Sequence, residues 1–329
     1  MNDHPGVKAI IVTYPNYYGL GVELSSIIKE AHKRNIIVLV DEAHGAHFAA
    51  GPPFPASAVS LGADIVVHSA HKTLPAMTMG SYLHINSNLA NLQRVEEYLR
   101  ILQSSSPSYP IMLSLDLARA YLESYSDKDK EYLIEQIKYF KHYFLQHEEL
   151  GILESKDTDI HDPLKLIIYH KNGLSGYELQ RLMEREGVYV ELAAEKYVLL
   201  ILPLLKKGQS FPYDEIIQRI ERINWGRGKK LEISLLRDLS RDFEQQKEST
   251  LAISYSAMEK TPRKRISLSD ACGSIAAETI IPYPPGIPLI QKGEIITYDM
   301  IRTCINLLDQ GAKIQGGIYL DQQEIQVFE

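Results

Sequence analysis

The sequence predicts an α/β protein: one large domain with a mostly parallel sheet, followed by smaller α+β C-terminal domains. Three observations predict it. Residues 7–13, 36–41 and 64–68 are short, nearly continuous apolar runs, as expected of strands buried on both faces of a parallel sheet. Val22, Leu24, Ile27, Ile28 and Ala31 recur at helical spacing between the first two runs, which makes a strand–helix–strand unit. Beyond residue 126 helices and strands follow one another without that regular alternation.

Taken in order, the first strand is followed by Tyr14-Pro15-Asn16-Tyr17-Tyr18-Gly19, which is either a plain turn with outward tyrosines or a pocket wall. A helix is expected over 21–34. After the second strand a Gly/Pro-rich loop over 51–55 leads to a short helix over 56–61. A fourth strand is expected over 80–85, and long helices over 91–103, 111–125 and 129–146. The segment Ser104-Ser105-Ser106 between two of them reads as a loop or cap, or as hydroxyls for a phosphate. Strands over 164–170, 188–192 and 197–202 alternate with helices over 175–186 and 213–223. Two glycines among polar residues make 225–230 a linker, followed by a helix over 231–247. Near the end Ile281-Pro282-Tyr283-Pro284-Pro285-Gly286-Ile287-Pro288 is a rigid extended turn, and 297–310 a final helix. The expected domains are 1–126, 127–225 and 226–329. Only about four strands are available to the first of them, and no Gly-rich phosphate cradle precedes them, so the chain is expected to start in the middle of a domain.

Composition excludes several classes. A net charge of -7 gives no reason to expect nucleic-acid binding, and Arg263-Lys264-Arg265 reads as a short solvated loop. No apolar run approaches membrane-spanning length, and the first residues have no signal-peptide pattern. Two cysteines, Cys272 and Cys304, make neither a disulfide framework nor a zinc site, and read as small core or helix residues. A cytoplasmic location is expected.

The chemistry lies in two blocks, Asp41-Glu42-Ala43-His44-Gly45-Ala46-His47 and Ser69-Ala70-His71-Lys72-Thr73-Leu74-Pro75, about one strand–helix unit apart. An acid at one strand end and a lysine after the next is a layout that holds pyridoxal phosphate. Lys72 makes the imine, and its reactive form is the neutral amine. Asp41 faces the pyridinium nitrogen and turns the ring into an electron sink. Ala43 is small enough to lie flat against that ring, His44 reaches its phenolic oxygen, and Ser69 and His71 hold the phosphate. The histidines do not show zinc-like spacing, so no metal is expected.

These blocks, with Ser106-Pro107-Ser108-Tyr109 and the proline block of the tail, make the chain resemble the Orn/Lys/Arg decarboxylases, fold-type-I pyridoxal phosphate enzymes of aspartate aminotransferase-like fold. The resemblance runs from about Val7 to Ile314. It implies a partial large domain of the transferase-like fold. It implies Lys72 as the Schiff-base lysine, Asp41 as the pyridinium partner, Ser69 and His71 at the phosphate and His44 at the ring oxygen. It also implies a homodimer or larger homo-oligomer, with Glu278 placed to meet a basic side chain. Members have a substantial segment before the strand at Val7, so the chain resembles an N-terminally truncated form.

The expected reaction removes the α-carboxylate of arginine, lysine or ornithine as carbon dioxide and yields a polyamine precursor. His71 or the released Lys72 reprotonates Cα. Two other readings share the sequence: a different enzyme of the same cofactor, such as an aminotransferase, and a non-catalytic subunit that pairs with a longer relative. The proline block argues against the first.

Overall fold

The computed structural model describes residues 6–153, 160–225, 250–283 and 286–329. The chain forms two compact units: Met1–Gln146, Glu154–Ile167 and Leu200–Glu215 in the first, and His147–Leu153, Ile168–Leu199 and Ile216–Glu329 in the second. The linker and helix expected over 226–247 lie outside the described residues.

The first unit is built on a four-stranded sheet in the order β1 (Ala9–Thr13), β2 (Ile37–Asp41), β3 (Ile65–His68), β4 (Tyr82–Ile85). β1, β2 and β3 run parallel and β4 antiparallel, so the sheet is mostly parallel. The strands were expected to be buried on both faces. Instead burial alternates: Val38, Val40, Val66 and His68 are buried, while Ile11 is 77% and Val67 40% exposed. Helix α1 (Leu24–His32) buries Leu24, Ile28 and Ala31, a spacing that puts all three on one face. The turn from α1 into β2 is fixed by fully buried Asp64, whose Oδ2 accepts the Val38 N–H at 2.7 Å and faces His32 Nε2 at 2.9 Å.

A 3-10 turn, Ala46–Ala50, stands just beyond β2, and the helix expected over 56–61 is a series of turns. Its backbone goes instead to a side chain, because the Ala58 N–H donates to the Glu42 carboxylate. After the four-residue helix α2 (Ala70–Thr73) come α3 (Leu92–Leu102), α4 (Tyr109–Glu123) and α5 (Asp127–Gln146). Asn91 caps α3 by accepting the Arg94 N–H, and Pro110 sits in the first turn of α4, where no intrahelical donor is lost. Leu133, Ile137, Phe140 and Phe144 form the buried stripe of α5. The α4–α5 corner is tied to the segment after residue 203, with Tyr125 OH donating to Leu205 O and the Lys207 N–H to Asp129 Oδ1.

A second sheet has the order β5 (Leu150–Ile152), β6 (Lys165–His170), β8 (Tyr197–Ile201), β7 (Leu192–Ala193). Helix α6 (Gly176–Arg185) opens with a capping box between Ser175 and Glu178, and α7 spans Tyr213–Ile220.

In the last part of the second unit a one-turn helix, α8 (Tyr255–Met258), precedes two antiparallel pairs: β9 (Arg263–Ser267) with β12 (Glu324–Phe328), and β10 (Ile280–Pro282) with β11 (Ile314–Gly316). Helix α9 (Tyr298–Asp309) buries Ile301 and Cys304 against Leu268, Ile280, Ile290, Ile296, Leu320, Ile325 and Val327. Arg263-Lys264-Arg265 is therefore an exposed strand and not a loop; its charges point outward, and Arg265 meets Glu324 at 3.1 Å across the pair. Cys304 is buried as expected, but Cys272 is exposed. Glu278 meets no basic side chain among the described residues. Its oxygens accept the Gln326 N–H at 2.8 Å and the Ile318 N–H at 3.3 Å.

Candidate active site

Strand register creates the site. Thr13 pairs with Asp41 and Asp41 with Val67, so the carboxyl ends of three parallel strands share one edge, where α/β sheets bind ligands. The chain leaves β1 with the Tyr14 N–H on Asp41 O, and leaves β2 with the Glu42 N–H on Val67 O. The Asp41 side chain is exposed at this edge and accepts the Ala43 N–H at 3.0 Å. That bond shapes the turn and presents small, half-buried Ala43 next to the carboxylate.

The other predicted residues stand on α2. Ser69 precedes it, half-buried, with its hydroxyl making no cap bond. His71 donates from Nδ1 to Gly80 O at 3.0 Å, which leaves Nε2 as its reactive nitrogen. Lys72 is exposed, and its Nζ lies 3.3 Å from Nε2 of buried His44. Lys72 and His44 thus meet directly, while Asp41, Ala43, Ser69 and His71 reach the same edge through strand register and the short helix.

Sequence reasoning missed what lies behind His44. Lys165, only 1% exposed, sets its Nζ 3.2 Å from Nδ1 of His44. The Tyr17 ring of the Tyr14–Gly19 turn lies 4.5 Å from the His44 ring, and Tyr14 and Tyr18 are buried rather than turned outward. Burial, then the Lys165 and Lys72 charges, pushes the His44 pKa down to about 3, so its ring is neutral. Deeper still, His47 Nε2 lies 3.1 Å from Asp162 Oδ1, both side chains being fully buried. Burial alone raises an aspartate. The attraction and hydrogen bond of His47, the Leu164 N–H and the nearby Lys165 outweigh it and hold Asp162 below the usual carboxylate range.

A further row, buried at Glu42, Ser57 and His68, was also missed. The fully buried Glu42 carboxylate accepts from Ser57 Oγ at 2.9 Å, from the Ala58 N–H at 2.8 Å and from His68 Nε2 at 2.6 Å. His84 Nε2 lies 3.1 Å from His68 Nδ1. This row clamps the ends of β2 and β3 one residue away from Asp41 and Ser69. An acid and a histidine on buried positions of adjacent strands was the available signal.

Comparison with known proteins accords with this architecture. Residues 1–155 match the major domain of the Orn/Lys/Arg decarboxylases, and residues 235–316 match their C-terminal domain. The uncharacterized protein YaaO of Bacillus subtilis is 44% identical over 99% of this chain and 67% of its own length. An arginine decarboxylase of Bacillus subtilis is 32% identical over 96% of this chain and 65% of its own. The solved lysine decarboxylase LdcF of Francisella novicida superposes on 98% of this chain and 57% of its own, with a TM-score of 0.74 and 17% identity, a likeness of fold. The chain belongs to the Orn/Lys/Arg decarboxylase family. It spans about two thirds of the length of these curated relatives.

Proposed function

We propose that this chain acts in pyridoxal phosphate-dependent decarboxylation of a basic amino acid, arginine, lysine or ornithine. One observation carries the reading: an exposed carboxylate, Asp41, and an exposed amine, Lys72, stand at the same strand-end edge with a neutral histidine against the amine.

The residues present fit the cofactor. Lys72 would hold its aldehyde carbon, Asp41 its ring nitrogen, Ala43 its face, His44 its ring oxygen, and the Ser69 hydroxyl and His71 Nε2 its phosphate. Bound there, pyridoxal phosphate supplies a protonated ring that takes up the electron pair left when carbon dioxide departs. Asp41 keeps the ring-nitrogen proton in place by charge. The proton returned to Cα would come from the freed Lys72 amine or, in place of its phosphate contact, from His71, whose ring is oriented by its bond to Gly80 O. The Glu42–His68–His84 row, buried at Glu42 and His68, keeps the two strand ends from drifting apart.

Exposed apolar residues on α3 and α4 support a homodimer or larger homo-oligomer: Ile101, Leu102, Tyr109, Leu113 and Leu117 are each at least 59% exposed. Two free cysteines accord with a reducing, cytoplasmic compartment. We further propose that the division 1–126, 127–225 and 226–329 is the functional one, with limited proteolysis near 126 and 225 as its test.

Titration of the purified protein with pyridoxal phosphate tests the whole reading. A visible absorption band is expected, lost in Lys72→Ala, with labelled carbon dioxide released from one of the three carboxyl-labelled amino acids. Keto-acid formation would show an aminotransferase instead. No band at saturating cofactor would show a non-catalytic subunit.

A further inference from the structure

His44 is gripped by two lysines, one at each ring nitrogen. Lys72 Nζ lies 3.3 Å from Nε2 and Lys165 Nζ 3.2 Å from Nδ1. A neutral imidazole has one lone pair and one N–H, so it accepts from only one of the two. Lys165 is the one placed to donate. It is 1% exposed, its charge acts on the fully buried Asp162 carboxylate, and its Nζ lies 5.8 Å from the centre of the Tyr17 ring. Burial disfavours an ammonium, whereas a nearby carboxylate and an aromatic face favour it.

Its stem is guided as well. Gly19 has φ +83°, and a Cβ there would stand 2.5 Å from Lys165 Cγ and 3.0 Å from Asp162 Cβ. The missing side chain leaves the passage through which Lys165 reaches His44. The Lys165 N–H also donates to Asp162 O, which sets the start of the stem.

We infer that Lys165 is a positioning residue for this site: its ammonium occupies Nδ1 of His44 and fixes the ring as the tautomer protonated on Nε2, an N–H that the Lys72 nitrogen accepts only as a neutral amine. A ring locked in this way presents a permanent donor beside the amine, which suits a group meant to bind the cofactor's ring oxygen. The functional meaning rests on the proposed role of Lys72, but the tautomer is a property of the protein without cofactor.

The test is a long-range proton–nitrogen correlation spectrum of the full chain with 15N-labelled histidine, near neutral pH and without cofactor. His44 is assigned by its loss in His44→Gln. The expected signature is a protonated Nε2 with an unprotonated Nδ1. A protonated Nδ1, or a ring protonated on both nitrogens, overturns the inference, and this needs only the wild-type protein. In Lys165→Met the signature is expected to collapse into a mixture of tautomers, and in Lys165→Arg, which keeps a cationic donor, to return. An unchanged signature in Lys165→Met also overturns it. Pyridoxal phosphate is then added to the same samples. The Nε2 signature in a wild-type protein that gains no visible band upholds the inference while defeating the proposed function; a band without the signature does the reverse.

Discussion

Glu42→Ala tests the physics of the site most directly. The Glu42 side chain is fully buried and receives three donors, from Ser57, Ala58 and His68, at 2.9, 2.8 and 2.6 Å. With a neutral His68 ring giving its Nε2 proton to Glu42, its Nδ1 accepts from His84, and every proton of the row points toward the carboxylate. Alanine removes that terminus and strands three donors in the interior. Each stranded donor costs about 1–3 kcal/mol, partly offset by water entering the vacated space. The expected loss is about 3–5 kcal/mol, a large part of an ordinary folding free energy. Glu42→Gln behaves differently. Its carbonyl still accepts from Ala58, and its amide can donate to His68 Nε2 if the row reverses, with His68 Nδ1–H donating to His84. That reversal is expected to cost only about 1 kcal/mol. Urea denaturation followed by far-ultraviolet circular dichroism measures both. An alanine variant within about 0.5 kcal/mol of wild type, or a glutamine variant as damaged as the alanine, would refute the reasoning.

Acid should weaken the protein through His44. Its folded pKa of about 3 lies below the unfolded value of about 6.5, so the unfolded chain binds the extra proton and stability falls as pH drops through that window. The slope approaches 1.4 kcal/mol per pH unit at most, about one proton's worth, and His44→Gln should flatten it in urea titrations at pH 6, 5 and 4. Gly316→Ala should destabilise the C-terminal part by about 2 kcal/mol or more, because φ is +78° there and the new Cβ would stand 1.9 Å from Thr279 O; thermal melting measures it. Leu113→Asp, at a 61% exposed position of α4, should shift sedimentation toward the monomer, and an unchanged sedimentation profile would count against α4 as the subunit contact.

The strands of the first unit were legible because three apolar runs separated by one amphipathic helix admit few arrangements. That one sheet face would be open was not legible, because Ile11 and Val67 are as apolar as buried Val38 and Val66. The β9–β12 pair was hidden by its composition: Arg263-Lys264-Arg265 satisfies its backbone in a ladder while its charges stay in water, so no alternation marks it. Asp41, His44 and Lys72 could be singled out as candidates because they lie within two short blocks. Lys165 and Asp162 could not, since only folding carries them 121 and 115 positions back to His44 and His47. Their trace was nonetheless visible, for a lysine leading the apolar run Leu166-Ile167-Ile168 has to find a partner when that run is buried.

The uncharged outer strand β1, Ala9-Ile10-Ile11-Val12-Thr13, has β2 as its sole strand neighbour among the described residues. Its rim offers amide donors and carbonyl acceptors to a passing extended polypeptide, with no lysine or proline within residues 9–13 to repel one. At high concentration the purified chain is therefore expected to cloud by rim-to-rim stacking, and a single lysine placed at Ile11 should keep the solution clear.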